Sequence, residues 1–320
     1  MVRNLVRHRP GRGPLLGATA AVAFATAAAI AYSRYRSRVE STTDEVRSVT
    51  ERHAAAFLVD RRIDHDRVES VTDSVTETLV GHESTRLLRL EGASTASLFL
   101  ESGGEDPLLR WYVEVPRTVV AEWSDPESTV VNAFPVTHDA LSIPDESADR
   151  ELLVHAVHPT RPRTIAADGS EPTTVIGPDE AAVDVGLVRL DLESGVSERF
   201  ADRFAAVSRD VIAGELELGW IESWSRAVLE AEAMYTESIV LERGSDGYTA
   251  YQYMETADME GVYDAYYDTW NPIARVSELL AGRIFEEPAR ILEYPIADDI
   301  ELLAHAIDPE RPRRVGGRLE

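Results

Sequence analysis

The chain contains no cysteine and no lysine. The first absence excludes disulfides, zinc–thiolate sites, iron–sulfur clusters and thiol nucleophiles together. The second means that all 32 basic residues are arginines, set against 57 carboxylates for a net charge of −25. No basic footprint exists to displace counterions from a phosphate backbone, which argues against nucleic acid as a partner. Also missing are GxGxxG, P-loop, HExxH and GxSxG patterns, so dinucleotide cofactors, nucleotides and the common hydrolase chemistries have no support. No cofactor is expected.

What is present begins with the acid. At low ionic strength so many like charges repel and weaken the compact state. In molar salt the Debye length falls to about 3 Å and the repulsion is screened. The composition therefore reads as that of a salt-adapted, halophilic protein, the alternative being an acidic protein with a specific cationic partner. An apolar fraction of 44% supports ordinary packed cores.

From Leu15 to Tyr32 the chain is uncharged and mostly alanine, close to the roughly 20 residues that span a bilayer. Arg3, Arg7, Arg9 and Arg12 precede it, Arg34, Arg36 and Arg38 follow, and Tyr32 and Tyr35 suit a lipid–water interface. A single-pass N-terminal membrane anchor is the reading adopted. A cleaved signal peptide and a non-spanning alanine-rich helix are the alternatives. Residues 33 to 54 are expected to continue as a polar helix.

An internal repeat organises the rest. Glu151-Leu-Leu-Val-His-Ala-Val-His-Pro-Thr-Arg-Pro-Arg163 recurs as Glu301-Leu-Leu-Ala-His-Ala-Ile-Asp-Pro-Glu-Arg-Pro-Arg313, with nine of thirteen positions identical. Ser97-Leu-Phe-Leu-Glu-Ser-Gly103 matches Ser238-Ile-Val-Leu-Glu-Arg-Gly244, and Tyr112-Val-Glu114 matches Tyr253-Met-Glu255. The pattern indicates a tandem duplication, with an anchor in 1–39, a degenerate first copy in 40–163, a linker in 164–182 and a second copy in 183–320.

Periodicity gives the second copy a strand from Val183 to Leu192 and helix from Ser197 towards Glu232. A hairpin of Tyr235–Glu242 and Tyr248–Glu255 follows, then a helix from Asp258 to Thr269 and a strand from Ile300 to Ile307. The first copy reads as a strand from Ala55 to Ile63, a helix from Asp66 to about Gly81, strands at Ala96–Leu100 and Leu109–Val115, a short helix around Arg117–Trp123, and a strand from Leu152 to Val157. The fold class is α+β, with two ferredoxin-like β-α-β-β-α-β units. The copies supply each other's open sheet faces, as a pseudo-dimeric α/β barrel or as side-by-side domains.

Met234-Tyr-Thr-Glu-Ser238, Tyr251-Gln-Tyr-Met-Glu255 and Glu301-Leu-Leu-Ala-His305 followed by Asp308-Pro309 resemble a family of short domains of unknown function, found mainly in halophilic archaea and usually as single copies. The resemblance covers roughly residues 184 to 313. It implies a ferredoxin-like domain of the dimeric α/β-barrel type and no assigned activity.

Period two on the strands places Tyr251, Tyr253 and Glu255 on one face, and Glu301, Leu303, His305 and Ile307 on one face of the last strand. Tyr253, Glu255 and His305 could therefore meet as a ligand site, with Tyr112, Glu114 and His155 as the matching set. The alternative, which the sequence favours, is that these Tyr and His residues pack the sheet with their polar tips hydrogen-bonded. His155 and His158 would suit a metal on a helix, but on a strand they point apart, so no metal site is assigned. The function read from the sequence is a non-enzymatic, membrane-anchored binding or scaffold protein. The alternative is a small-molecule enzyme of the dimeric α/β-barrel type with a pocket between the copies.

Overall fold

The computed structural model of the protein describes residues 49–79, 86–103, 106–144, 148–158, 160–164, 174–175, 183–193, 234–244, 247–261, 284–292, 294 and 299–313. The apolar segment from Leu15 to Tyr32, the helix expected from Ser197 to Glu232, and the helix expected from Asp258 beyond Gly261 lie outside the described residues.

The described strands are β1 (Val49–Thr50), β2 (Ala54–Ile63), β3 (Thr95–Glu101), β4 (Leu108–Pro116), β5 (Leu141–Ser142), β6 (Asp149–Val157), β7 (Thr174–Val175), β8 (Asp184–Asp191), β9 (Met234–Arg243), β10 (Tyr248–Thr256) and β11 (Ile300–Ile307). The helices are α1 (Val68–Leu79), entered through a 3-10 turn at His65–Arg67, then α2 (Arg117–Val120), α3 (Pro126–Asn132) and α4 (Ala289–Leu292). The fold is α+β with two antiparallel sheets. One has six strands in the order β5-β2-β4-β3-β11-β7, and the other has five in the order β1-β6-β9-β10-β8.

Local chemistry explains these elements. In α1, Val71, Val75 and Leu79 fall on one buried stripe, the spacing an amphipathic helix requires. The N-terminus of α3 is set by Asp125, whose carboxylate accepts from the Ser128 backbone N–H at 3.1 Å, and by Pro126 in the first turn. The turn before β3 needs Gly92, which has φ of +75° and whose missing Cβ would lie 2.9 Å from Val119.

Strand alternation then sorts the layers. On β4, Leu109, Trp111, Val113 and Val115 join Val71, Val75 and Leu79 of α1 in a core on the helix side of the six-stranded sheet. Arg110, Tyr112 and Glu114, the alternate residues, face the other way. A second core lies between the sheets, where Ala56, Leu58, Phe99 and Leu302 meet Leu187, Val240 and Tyr251. Each such apolar side chain contributes about 1.5–3 kcal/mol by leaving water.

The two halves exchange their last strands. β11 pairs with β3 of the first half, and β6 pairs with β9 of the second. Each half thus completes the other's sheet, so of the two arrangements expected the side-by-side one is not what forms. Three smaller corrections follow. Val49–Thr50 is a strand paired with β6, not the end of a polar helix. Thr174 and Val175, expected as linker, pair with Ala306 and His305. The register of β11 shifts between Leu302 and Ala304, so one extra residue breaks the period of two. Leu303 therefore packs with Ala304 and Ala306 on the helix side, and does not share the face of His305. β6 carries the same irregularity between Leu152 and Val154.

Candidate functional site

The space between the sheets is polar at both ends. At its centre, Ser97 stands opposite Tyr112 on β4 and His305 on β11. Ser238 stands opposite Tyr253 on β10 and His155 on β6. The serines also reach across the sheets. Ser97 Oγ lies 3.1 Å from the Tyr253 hydroxyl and 2.9 Å from His305 Nδ1. Ser238 Oγ lies 2.7 Å from the Tyr112 hydroxyl and 2.9 Å from His155 Nδ1. Each tyrosine in turn donates to the carboxylate two residues along its strand, Tyr253 to Glu255 and Tyr112 to Glu114, both at 3.2 Å.

Proton directions follow from the carboxylates, which can only accept. Each phenol donates to its glutamate, so each serine donates to its phenol, and His Nδ1–H donates to its serine. That leaves Nε2 of His155 and His305 as bare acceptors with no hydrogen-bond partner among the described residues. Burial lowers both imidazoles to a pKa of about 4, against the opposing pull of Glu114 and Glu255. Both rings are therefore neutral near pH 7.

Arg161 and Arg311 close this end. Arg311 donates to Glu255 at 2.9 Å, to Thr95 at 3.0 Å and to the Pro162 carbonyl at 3.0 Å. Arg161 donates to Glu114 at 2.9 Å and to the Pro312 carbonyl at 2.7 Å. Burial alone would push both carboxyls up. Arg311, His305 and Arg161 overcome it and hold Glu255 at about 2, and Arg161 and His155 likewise hold Glu114 below the usual carboxylate range.

All six residues singled out in the sequence are thus brought together: Tyr112, Glu114, His155, Tyr253, Glu255 and His305, each at most 1% exposed. They converge on one another rather than on a ligand space. Every phenol and carboxylate among them is already hydrogen-bonded or ion-paired within the group. Sequence reasoning missed Ser97, Ser238, Thr95, Arg161 and Arg311. The signal was there: Ser97 and Ser238 head one matched block, and Arg161 and Arg311 lie in the other.

The opposite end is open. A cleft of about 1510 Å³ opens here, with Leu58 of β2 facing Tyr251 of β10 between the sheets, and it extends past Phe57 and Val59 to Val130 on the helix side. Its floor carries Arg110, whose guanidinium lies 4.5 Å from the Tyr251 ring centroid. Arg110 is paired with Asp60 at 2.6 Å and with Glu101. Arg150 also reaches Asp60, and Glu242 at 2.6 Å. Arg189 pairs with Glu101 at 3.0 Å and Asp191 at 3.1 Å. Burial raises the Tyr251 phenol, only partly offset by Arg110. Its hydroxyl makes no hydrogen bond to a described residue. It is a neutral donor lining a cleft.

No family model and no curated protein matches the chain. Among solved structures it is similar to a candidate monooxygenase of Fusobacterium nucleatum subsp. nucleatum ATCC 25586, at 8% identity over 83% of this chain and 96% of that one, TM-score 0.36. It is similar to a candidate monooxygenase of Lactobacillus acidophilus NCFM at 11% identity over 80% and 97%, TM-score 0.34. An anthrone oxidase-like protein is similar at 10% identity over 86% and 98%, TM-score 0.30. At TM-scores of 0.36 and below, these likenesses transfer neither substrate nor activity.

The expectation of a non-enzymatic, membrane-anchored scaffold finds no support among these chains, which carry monooxygenase and anthrone oxidase-like names. The membrane localisation is corrected to what the structure gives: among the described residues, which do not include Leu15 to Tyr32, no helix is long and apolar enough to cross a membrane. The halophilic and tandem-duplication readings draw no support from these chains.

Proposed function

We propose that the protein is a small-molecule enzyme built as a pseudo-dimeric α/β barrel, two ferredoxin-like units on one chain, with its substrate held in the cleft between the sheets. Support for the barrel comes from the strand exchange, which makes each sheet a joint product of both halves. The observation that carries the enzymatic reading is Tyr251, a buried phenol whose hydroxyl bonds to none of the described residues, in a cleft that also holds the Arg110 and Arg189 guanidiniums.

That arrangement suits chemistry in which negative charge builds on a substrate oxygen, as when a carbonyl becomes an enolate or a phenol a phenolate. A preorganised neutral donor and fixed cations stabilise such charge more than they stabilise the ground state. Arg110 is held by Asp60 and Glu101, and Arg189 by Glu101 and Asp191, so neither must reorganise as charge develops. Leu58, in the inter-sheet core with Tyr251, adds an apolar contact for a hydrocarbon body.

The test is consumption of small molecules from a metabolite extract, followed by mass spectrometry. Wild type should deplete one or a few carbonyl or phenolic compounds that Tyr251→Phe leaves untouched. No depletion, or equal depletion by both proteins, would overturn the reading.

A further inference from the structure

The ring centroids of Tyr112 and Tyr253 are 3.6 Å apart and the planes 10° from parallel. Two closed-shell phenols avoid this near-eclipsed sandwich, because their negative faces repel and offset or edge-on contacts at about 4.5–7 Å are favoured. Phe99 meets Tyr253 in that preferred way, edge-on at 6.4 Å. The tyrosine pair is held face to face by its hydroxyls, each anchored to a serine of the opposite sheet and to a glutamate of its own strand. Removal of one electron reverses the preference. A hole on one ring is stabilised by the electron-rich face of the other.

We propose that Tyr112 and Tyr253 form a buried one-electron redox site, oxidised by a high-potential one-electron acceptor to a single neutral phenoxyl radical on one ring, stacked against the intact phenol of the other. The step balances within the pair and its partners. One electron leaves a phenol for the acceptor, which is reduced by one. The phenolic O–H bond breaks, and its proton moves 3.2 Å to the carboxylate that already accepts it, Glu114 Oε1 for Tyr112 or Glu255 Oε1 for Tyr253. The phenoxyl oxygen keeps the serine hydrogen bond. Return of one electron and that proton restores the phenol.

The surroundings fit storage of such a radical. Both rings are 1% exposed, so a phenol of another molecule cannot reach them to couple. The bare imidazole nitrogens of His155 and His305 add proton-accepting capacity at the same layer. Tyr253 shares the face of β10 with Tyr251, two residues or roughly 7 Å nearer the cleft, which offers the electron an aromatic way out. The proposal stands whether or not the cleft turns over a substrate.

The test is electron paramagnetic resonance of the full chain after flash oxidation by a ruthenium(III) polypyridyl complex, with decay followed in time. Wild type should give a tyrosyl signal that outlives that of the double variant Tyr112→Phe/Tyr253→Phe by about tenfold or more, the effect of one lost charge-assisted hydrogen bond. The other tyrosines of the chain, which total 11 with the pair, serve as the internal background. If the double variant does not fold, the single variants decide. A shortened lifetime in both supports the pair, and unchanged lifetimes in both overturn it. Equal lifetimes in wild type and a folded double variant also overturn it.

Discussion

Ser97 and His305 are 208 residues apart in sequence, yet their side chains meet at 2.9 Å, Oγ to Nδ1. That contact exists only because the last strand of the second half pairs with the first half. Its counterpart, Ser238 with His155, spans 83 residues and has the same length. His305→Ala and His155→Ala should each leave a buried serine without its donor and a small cavity. The expected cost is about 1–3 kcal/mol in urea unfolding for each variant. Loss in one variant and none in the other would break the equivalence of the two networks.

Stability should fall on acidification through two successive windows. The folded pKa of each buried histidine is about 4, below the ordinary imidazole value of 6.5. Between these values the unfolded chain binds more protons, so stability declines as pH falls from 6.5 to 4. Each histidine contributes up to about 1.4 kcal/mol per pH unit to that slope. Glu255 is lowered from 4.5 to about 2, so its contribution is present above 4.5 and is lost as pH falls towards 2. Urea midpoints measured across pH should show the first decline flattened in the His155→Ala/His305→Ala double variant. A slope between pH 6.5 and 4 that the double variant retains would contradict the assignment.

Asp60 holds two arginines from different strands of the cleft, Arg110 and Arg150. Burial would raise its pKa, but those two cations keep the carboxyl lowered. Asp60→Ala leaves two poorly solvated guanidiniums short of a partner and should cost about 3–5 kcal/mol. Asp139, 76% exposed and paired with Arg67, is the comparison. Asp139→Ala should change stability by no more than about 1 kcal/mol. Thermal or urea unfolding of both variants checks the contrast.

Much of this architecture is legible in the sequence because it rests on local pattern. Alternation located β2, β3, β4, β9 and β10 within a residue or two, and it placed Tyr251, Tyr253 and Glu255 on one face. The bulge in β11 escaped, since one inserted residue leaves no local mark, and Leu303 was assigned to the wrong face. The strand exchange is also invisible locally: β6 and β11 would satisfy either sheet edge, and only tertiary packing chooses. Arg161 and Arg311 read as ordinary charges before a proline, although burial and the reciprocal carbonyls of Pro312 and Pro162 make them the seal of the interior. The arginine lining of the cleft was missed for a related reason. Arg110 and Tyr251 occupy equivalent strand positions but differ in kind, so a search for matched residues passes over the end where the halves diverge.

The most direct test of a ligand-binding cleft uses 4-nitrophenol as the probe, because its absorbance reports hydrogen bonding to its oxygen. Titration of wild type should give a saturable spectral shift. Tyr251→Phe should bind about ten- to a hundredfold more weakly, as a lost hydrogen bond to a charged oxygen of about 1.5–3 kcal/mol requires. Tyr253→Phe, which alters the buried network and not the cleft wall, should bind as wild type does. Binding that ignores the Tyr251 hydroxyl, or that falls equally in both variants, would contradict the account.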